Sequence, residues 1–381
     1  MNILFLIYHG FSEVSGISKK IHYQINGLRQ LGHQVFVCTY DIREDGHRVR
    51  FIDDQPLQDF GNGRLAAMKK RCCYGSVVKF AIDKKIDFVY ARSFHNANPF
   101  TINMFKAFKK AGIKSVIEIP TYPYDQEYTG YGKKDQLELA IDKMFRKALA
   151  KQTDAIVTFT QEKEIFGQRT IRISNGIELE AIPLRNEKCK TTTEGLNFIG
   201  VAEVHYWHGF DRFIAGIGEY YKNGGTREIT FHVVGGVADG DMNGTENPIA
   251  FAKIIEKYGI KDKIVFHGQK FGEELDELFA NANFAVASLG RHRSGITYIK
   301  TLKNREYAAR GLSFIYSEID SDFEEKPYIL KAPADESPVN IEQVIDFIDH
   351  LTMTPEEIRK SIYDLTWEKQ MEKVINEVTS F

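Results

Sequence analysis

Between Asn283 and Ser317 the chain reads NFAVASLGRHRSGITYIKTLKNREYAARGLSFIYS, an order of residue types that leaves few folds open. Phe284 to Leu289 is an apolar run of strand length, and Gly290 ends it ahead of Arg291, His292 and Arg293. The spacing predicts a helix from about Ile296, with Ile296, Ile299, Leu302 and Tyr307 facing inward. Gly311 closes it before a second strand, Leu312 to Tyr316. This is a βαβ unit. Its first loop falls at the carboxyl edge of a parallel sheet, beside a helix N-terminus whose free N–H groups favour an anion. Lys303 and Glu306 lie three apart and share a helix face, offering a cation to a diphosphate and an acceptor to hydroxyls. Read blandly, they are a solvated pair beside ordinary loop charges.

The same grammar runs through the whole chain. Asn2 to Tyr8 is a continuous apolar strand suited to the middle of a parallel sheet, and Gly16 precedes an amphipathic helix carrying Ile17, Ile21, Ile25 and Leu28. Gly32 closes that helix ahead of the strand Gln34 to Tyr40. The loop lacks GxGxxG, so it is no dinucleotide fingerprint, but its tip at Gly16 can approach a phosphate or sugar. Arg64 to Lys85 reads as one basic helix, either a solvated face or a contact with an anionic membrane surface. Asp87 to Ala91 is a strand ending in the polar run Arg92 to His95. A helix from Asn98 to Ala111 leads to the strand Lys114 to Ile119. The following loop, rich in aromatics and stiffened by Pro120 and Pro123, places Glu118 and Tyr122 at a carboxyl edge. Its tyrosines suit stacking on sugar rings or, alternatively, a packed turn. A helix from Lys134 to Lys151 and the strand Ala155 to Phe159 follow. The turn Ser174 to Ile177 comes before a polar linker, Asn186 to Gly195.

The second half repeats the pattern. Leu196 to Val204, Ile229 to Val234 and Ile264 to His267 read as strands. Helices are expected over Phe210 to Tyr221, Glu273 to Ala282, Ile341 to Leu351 and from Pro355 onward. Trp207 and His208 sit in the first loop of this half, placed to cover a base or ribose, or to lid the core. The fold class expected is α/β: two doubly wound Rossmann-like domains facing each other across a cleft, of the GT-B kind once the resemblance below is counted. Boundaries are set at 1–180, 181–362 and 363–381, the last a helix packing back toward the first domain.

Composition narrows the function. A chain of 381 residues exceeds what one core usually supports, and a net charge of −2 argues against bulk nucleic-acid binding. A basic site must therefore be local. No apolar run approaches a bilayer span, and Ile3 to Tyr8 is too short for a signal peptide. The four cysteines show no zinc spacing, which reads as reduced thiols in a cytoplasm. Asp239-Gly-Asp241 is taken as a turn, so no metal is expected.

Several stretches together resemble the family 4 type of retaining glycosyltransferase with GT-B architecture. These are MNILFLIYHGFSEVSGISKKI, SNGI, VAEVHYWHGFDRFI, IVFHGQKFGEELDELFANANFAVASL, LKNREYAARGLSFI and the terminal TWEKQ. Leu289 to Arg293 followed by Leu302 to Tyr307 is similar to a subgroup of bacterial cell-surface polysaccharide enzymes. The resemblance implies retaining, metal-independent transfer of a hexose from a nucleotide-diphosphate sugar, a substrate and not a cofactor, to a glycan or lipid-linked acceptor. It places the protein in the cytoplasm, at the inner face of the membrane where the acceptor is lipid-linked. Glu306 matches the second glutamate of the family's Glu-x7-Glu motif, which holds the donor ribose, whereas the first is Tyr298. Where the family often has an Arg and a Lys after the first strand of the second domain, this chain has Glu203 and His208. Arg291, Arg293 and Lys303 are then the cations for the leaving diphosphate, joined by Glu306 as catalytic groups. Donor contacts fall to Gly16, His208, His292, Ser294, Leu302 and Tyr307, and acceptor contacts to His95, Glu118 and Tyr122. A sugar-nucleotide epimerase of the same architecture and a non-catalytic partner subunit fit the same elements.

Overall fold

The computed structural model describes residues 1–12, 16–92, 97–125, 132–185, 195–236 and 251–380. His95, the Asp239-Gly-Asp241 stretch and most of the expected linker lie outside the described residues. The chain divides into two compact units, Met1–Ser174 with Trp367–Phe381, and Asn175–Thr366.

The first unit holds a mixed sheet of β1 (Asn2–Leu6), β2 (Gln34–Ile42), β3 (Arg48–Ile52), β4 (Gln55–Asp59), β5 (Phe88–Arg92), β6 (Lys114–Ile119), β7 (Ala155–Thr158), β8 (Glu164–Ile165) and β9 (Gln168–Arg172). Their order is β4-β3-β2-β1-β5-β6-β7-β9-β8. Neighbours from β2 through β9 pair in parallel. Ile3 to Leu6 are fully buried because helices cover both faces of a parallel sheet, so β1 can be apolar throughout.

Two features depart from the sequence expectation. The hairpin β3–β4 turns at Asp53 and Asp54, both with positive φ (46° and 64°), the conformation of a two-residue hairpin loop. Paired aspartates are a weaker turn signal than Asn-Gly, and the hairpin went unread. The single basic helix expected over Arg64 to Lys85 is two, Gly63–Cys72 and Gly75–Asp83. Arg50 explains the break. Its guanidinium donates to the carbonyl oxygens of Cys73 at 2.6 Å and Lys70 at 3.0 Å, satisfying the end of the first helix, and lies 4.8 Å from the Tyr74 ring centre.

The second unit holds β10 (Leu196–Val201), β11 (Ile229–Val234), β12 (Ile264–Gly268), β13 (Phe284–Val286), β14 (Phe314–Tyr316) and β15 (Ile329–Lys331), all parallel, in the order β12-β11-β10-β13-β14-β15. This is the doubly wound order in which the winding reverses between the first and fourth strands, here β10 and β13. A helix Phe251–Tyr258, unread in the sequence, precedes β12.

The helix expected from Ile296 begins only at Leu302 and ends at Ala309, with Thr301 as its N-cap. Backbone pairing is the reason. Ile299 donates to Ile319 at 3.0 Å and Ile319 donates to Thr297 at 2.8 Å, so an extended segment takes the groups a helix would need. Ile296 and Leu302, expected to face inward, are consequently exposed.

The terminal helix Trp367–Thr379 packs on Gly16–Gln30 inside the first unit, burying Trp367, Met371, Val374 and Val378. Gly27 makes the approach possible, since a Cβ there would lie 2.8 Å from the Trp367 carbonyl oxygen. Helix propensity alone favours alanine over glycine by about 1 kcal/mol. Gly27→Ala is nevertheless expected to lower the urea midpoint of unfolding, because backbone on both helices must shift. A raised midpoint would show that the approach is looser than described.

Candidate functional site

At the winding reversal of the second unit, the loops after β10 and β13 leave the sheet in opposite directions and open a crevice at its carboxyl edge. These loops are fastened to each other. Leu289 donates to the carbonyl of His208 at 2.8 Å, and a Cβ on Gly209 would fall 2.6 Å from the Gly290 nitrogen. Gly209 has φ of 66°, so the position suits glycine on both counts.

Arg293 holds the arrangement together. Its guanidinium forks onto Asp211 at 2.9 and 2.8 Å, donates to the Tyr206 carbonyl at 2.6 Å, and binds Glu336 through Nε at 2.9 Å and a terminal nitrogen at 2.6 Å. Burial disfavours its charge, but the bonds to Asp211 and Glu336 outweigh that and raise its pKa, while Arg293 in turn lowers that of Glu336 to about 2. This corrects the expectation that Arg293 grips phosphate, since its donors already tie three loops. His292 joins the same knot, its Nε2 2.7 Å from Glu336. Ser294 bonds back to the Arg291 carbonyl at 2.9 Å.

Other cations have no such partners. Lys303 is half-buried, but its Nζ is enclosed and has no hydrogen-bond partner among the described residues; burial, then the nearby Arg291 charge, push its pKa down to about 7. Arg291 keeps a buried Nε without a partner, its guanidinium 5.9 Å from the Trp207 ring centre, and burial lowers its pKa. His208 faces both. Its Nδ1 accepts from the His205 N–H at 3.0 Å, so the neutral ring carries its proton on Nε2. Burial, then the charges of Lys303 and Arg291, drop its pKa to about 2, and His208 therefore stays an uncharged donor.

Glu318 completes the chamber, and no sequence signal pointed to it. Its carboxylate is buried with neither oxygen bonded, and burial raises its pKa to about 7 against the pull of Arg291 and Lys303. The hydroxyls of Ser288 and Ser317, at the ends of β13 and β14, are likewise buried without partners, and Ser317 donates its backbone N–H to Ser288 at 3.0 Å. Leaving such groups unsatisfied costs about 1–3 kcal/mol each. Their concentration at one sheet edge makes this chamber the candidate site.

Remaining expected residues fall elsewhere. Glu306 is partly exposed and accepts from Arg310 at 3.1 and 3.2 Å. Tyr307 lies in the core, where its hydroxyl accepts from Val201 N–H at 3.1 Å and donates to Val286 at 3.3 Å, which makes it a brace for β10 and β13 and not a ligand contact. Leu302 is exposed, one residue before Lys303 on the first helical turn.

In the first unit Gly16 opens a helix. Glu118 is fully enclosed, accepting from Tyr90 at 2.5 Å and Gln24 at 2.6 Å beside Lys20 and Arg92. Burial raises its pKa, but those cations and hydrogen bonds prevail and lower it. Tyr122 packs edge-on against Phe166 and Tyr124 is buried with its hydroxyl on Asp142 at 2.7 Å, so the aromatic loop is a packed turn at these positions and not a stacking platform. A small cavity of about 40 Å³ lies beside them, lined by Tyr8, Arg92, Phe105, Tyr124, Arg146 and Phe166 among others. Among the described residues no group of three His, Cys, Asp or Glu could hold a metal ion, and no helix is long and apolar enough to cross a membrane.

The sequence matches no model of a protein family and no curated protein. Solved structures do resemble it. Sucrose-phosphate synthase from Thermosynechococcus elongatus aligns over 100% of this chain and 99% of its own at 13% identity, TM-score 0.59. A trehalose-6-phosphate structure from E. coli, bound with UDP-2-fluoro glucose, covers 100% and 99% at 15% identity, TM-score 0.54. The pneumococcal O-GlcNAc transferase GtfA, in complex with UDP and GlcNAc, covers 100% and 99% at 11% identity, TM-score 0.53. The chain thus has the GT-B fold.

The two classes of cation make opposite predictions. Arg293→Ala leaves Asp211 buried without its partner and is expected to destabilise by about 3 kcal/mol. Lys303→Met removes an unpaired buried ammonium and is expected to stabilise by about 1–3 kcal/mol. Because the folded pKa of Lys303 lies below its unfolded value, the penalty relieved is full below about pH 7 and fades toward pH 10. Equilibrium denaturation of both variants at pH 6 and pH 9 checks the signs.

Proposed function

We propose that this protein is a retaining glycosyltransferase of the family 4 type, moving a hexose from a nucleotide-diphosphate sugar to a glycan or lipid-linked acceptor in cell-surface polysaccharide biosynthesis. The observation that carries the transferase reading is the buried chamber of unpaired Lys303, Arg291 and neutral His208 at the winding reversal. Retention, the hexosyl class and the pathway rest on the sequence pattern Leu289 to Arg293 followed by Leu302 to Tyr307. Structures of like fold with a UDP sugar, or UDP and GlcNAc, bound accord with a nucleotide-sugar donor.

In this reading the donor diphosphate enters the chamber. Breakage of the bond between the sugar C1 and the phosphate oxygen leaves the electron pair on the β-phosphate. Lys303 and Arg291 neutralise that charge, while His208 donates from Nε2 and Ser288 and Ser317 offer hydroxyls. The positive charge comes from side chains, so no metal step is invoked. Arg293 and Tyr307 act by position, holding the loops and strands that present these groups. Glu306, matched by sequence to the ribose-binding glutamate, is free to turn from Arg310 to a ligand hydroxyl. The acceptor is assigned to the first unit, at the sheet edge where the sequence places His95, with the enclosed Glu118 and the packed Tyr122 supporting that edge from within.

The same enzyme is proposed to work at the inner face of a membrane. On the first unit, Leu65 and Met68 of one helix and Leu137, Ile141 and Met144 of Lys133–Ala150 are exposed, and an Arg71–Glu138 ion pair at 2.8 Å joins those two helices. Lysines at 69, 133, 134, 143 and 147 surround this apolar strip. Apolar side chains ringed by cations fit an anionic bilayer surface. Co-sedimentation with phosphatidylglycerol vesicles is expected, lost in Leu65→Asp/Met144→Asp and weakened by salt; equal binding to neutral phosphatidylcholine would contradict it.

A thermal-shift panel of UDP, GDP and ADP tests the donor site. One nucleotide at a hundredfold excess over Kd should stabilise the protein by about 2.7 kcal/mol, and Lys303→Met should abolish the shift. Affinity should fall as pH rises through about 7, where Lys303 loses its proton. No shift with any nucleotide would favour a non-catalytic partner subunit, and epimerised sugar from donor alone would favour an epimerase.

A further inference from the structure

The geometry points to Glu318 as the residue that reads the hydroxyls of the transferred sugar, a specificity determinant contributed by the end of β14. This inference rests on the donor chamber proposed above and assigns it a second half.

Glu318 follows Ser317 directly, and its side chain is 3% exposed. Both carboxylate oxygens are buried, and neither meets a hydrogen-bond donor of the protein. Lys331, the nearest candidate, gives its ammonium to the Glu318 backbone carbonyl and to the Glu324 carboxylate at 2.9 Å instead. Arg291 and Lys303 attract the carboxylate, yet no ion pair joins it to either. A buried carboxylate held across a gap from two unpaired cations is unfavourable in every ligand-free arrangement.

Chemistry decides what fills the gap. A phosphate alone would satisfy Lys303 and Arg291 but would be repelled by Glu318. A neutral sugar would satisfy Glu318 and leave the cations bare. A ligand carrying phosphate and, on the ring joined to it, hydroxyl groups satisfies both ends. A carboxylate offers two acceptor oxygens, which suits two neighbouring hydroxyls of a pyranose, and such bonds are charge-assisted. The sugar on the β-phosphate has that placement. Tyr298 stands where the family resemblance puts its first glutamate, so Glu318 provides a carboxylate that this position lacks.

Calorimetry with paired probes, UDP against UDP-glucose and GDP against GDP-mannose, tests the assignment. Wild type should bind one nucleotide sugar more tightly than its nucleoside diphosphate. Glu318→Gln, which keeps the shape and removes the charge, should weaken that nucleotide sugar by about tenfold or more while leaving the nucleoside diphosphate within about twofold. Glu318→Asp, with its carboxylate withdrawn, should show the same selective loss. Retention of the wild-type gap in both variants would overturn the role of Glu318 and leave the donor chamber standing. Failure of wild type to bind any probe would overturn the chamber and this inference together. Unfolding midpoints serve as the control: Glu318→Gln should melt no lower than wild type, and a large drop would make Glu318 a structural residue and end the proposal.

Discussion

An ammonium enclosed without a hydrogen-bond or ion-pair partner among the described residues is the constraint around which the second unit is arranged: the Nζ of Lys303 is buried although its residue as a whole is only half-buried. The helix that carries it is capped by Thr301 and anchored by Arg305, which is wholly buried, donates to Asn175 and Thr301 carbonyls at 2.8 and 2.7 Å, and pairs with Asp320 at 2.8 Å and with Asp322. Tyr307 pins the same helix to β10 and β13. A frame this well satisfied can hold a few groups that are not, and unsatisfied groups held by a satisfied frame are preorganised for a ligand.

Six lysines and arginines between residues 291 and 310 look alike in the sequence: Arg291, Arg293, Lys300, Lys303, Arg305 and Arg310, of which Lys300 meets Asp322 at 3.1 Å. The fold sorts them by who supplies a carboxylate. Arg293 meets Asp211 and Glu336, Arg305 meets Asp320 and Asp322, and Arg310 meets Asp276 and Glu306. Only Arg291 and Lys303 are left without an ion pair. Of those partners Glu306 alone is a helix-turn neighbour; the others arrive from elsewhere in the unit. Spacing therefore marks a run of cations but not which of them are paired, since that depends on tertiary pairing.

The elements themselves were more legible. Apolar runs such as Asn2 to Tyr8 and Ile229 to Val234 read directly as strands because a buried parallel sheet permits unbroken hydrophobicity. Reading failed where long-range backbone or side-chain bonds override local preference: at 297–299, claimed by Ile319, and at Cys73, where Arg50 ends a helix. Glu118 and Tyr122 failed for the related reason that a polar group at a strand end is equally suited to a ligand and to a buried network. Gln24, Tyr90, Lys20 and Arg92 settle that choice for Glu118. Glu318 escaped notice because nothing in the run Ser317-Glu318-Ile319-Asp320 distinguishes a buried carboxylate from a solvated one.

Charge in the chamber is adjustable, and this follows from its burial. His208 is neutral at every physiological pH, while Lys303 and Glu318 both titrate near pH 7. Without ligand, the pair can trade a proton between charged and neutral forms, so the interior never carries a large uncompensated charge. An arriving diphosphate favours the ammonium and disfavours a bare carboxylate, drawing protons to both groups. Hydroxyls reaching Glu318 reverse the second effect by stabilising its charged form. A phosphate alone and a phosphate bearing a sugar therefore bind with different proton uptake at the same residues. In the proposed reading, discrimination between donor and spent nucleotide is an electrostatic consequence of placing one carboxylate opposite two cations, without any moving part.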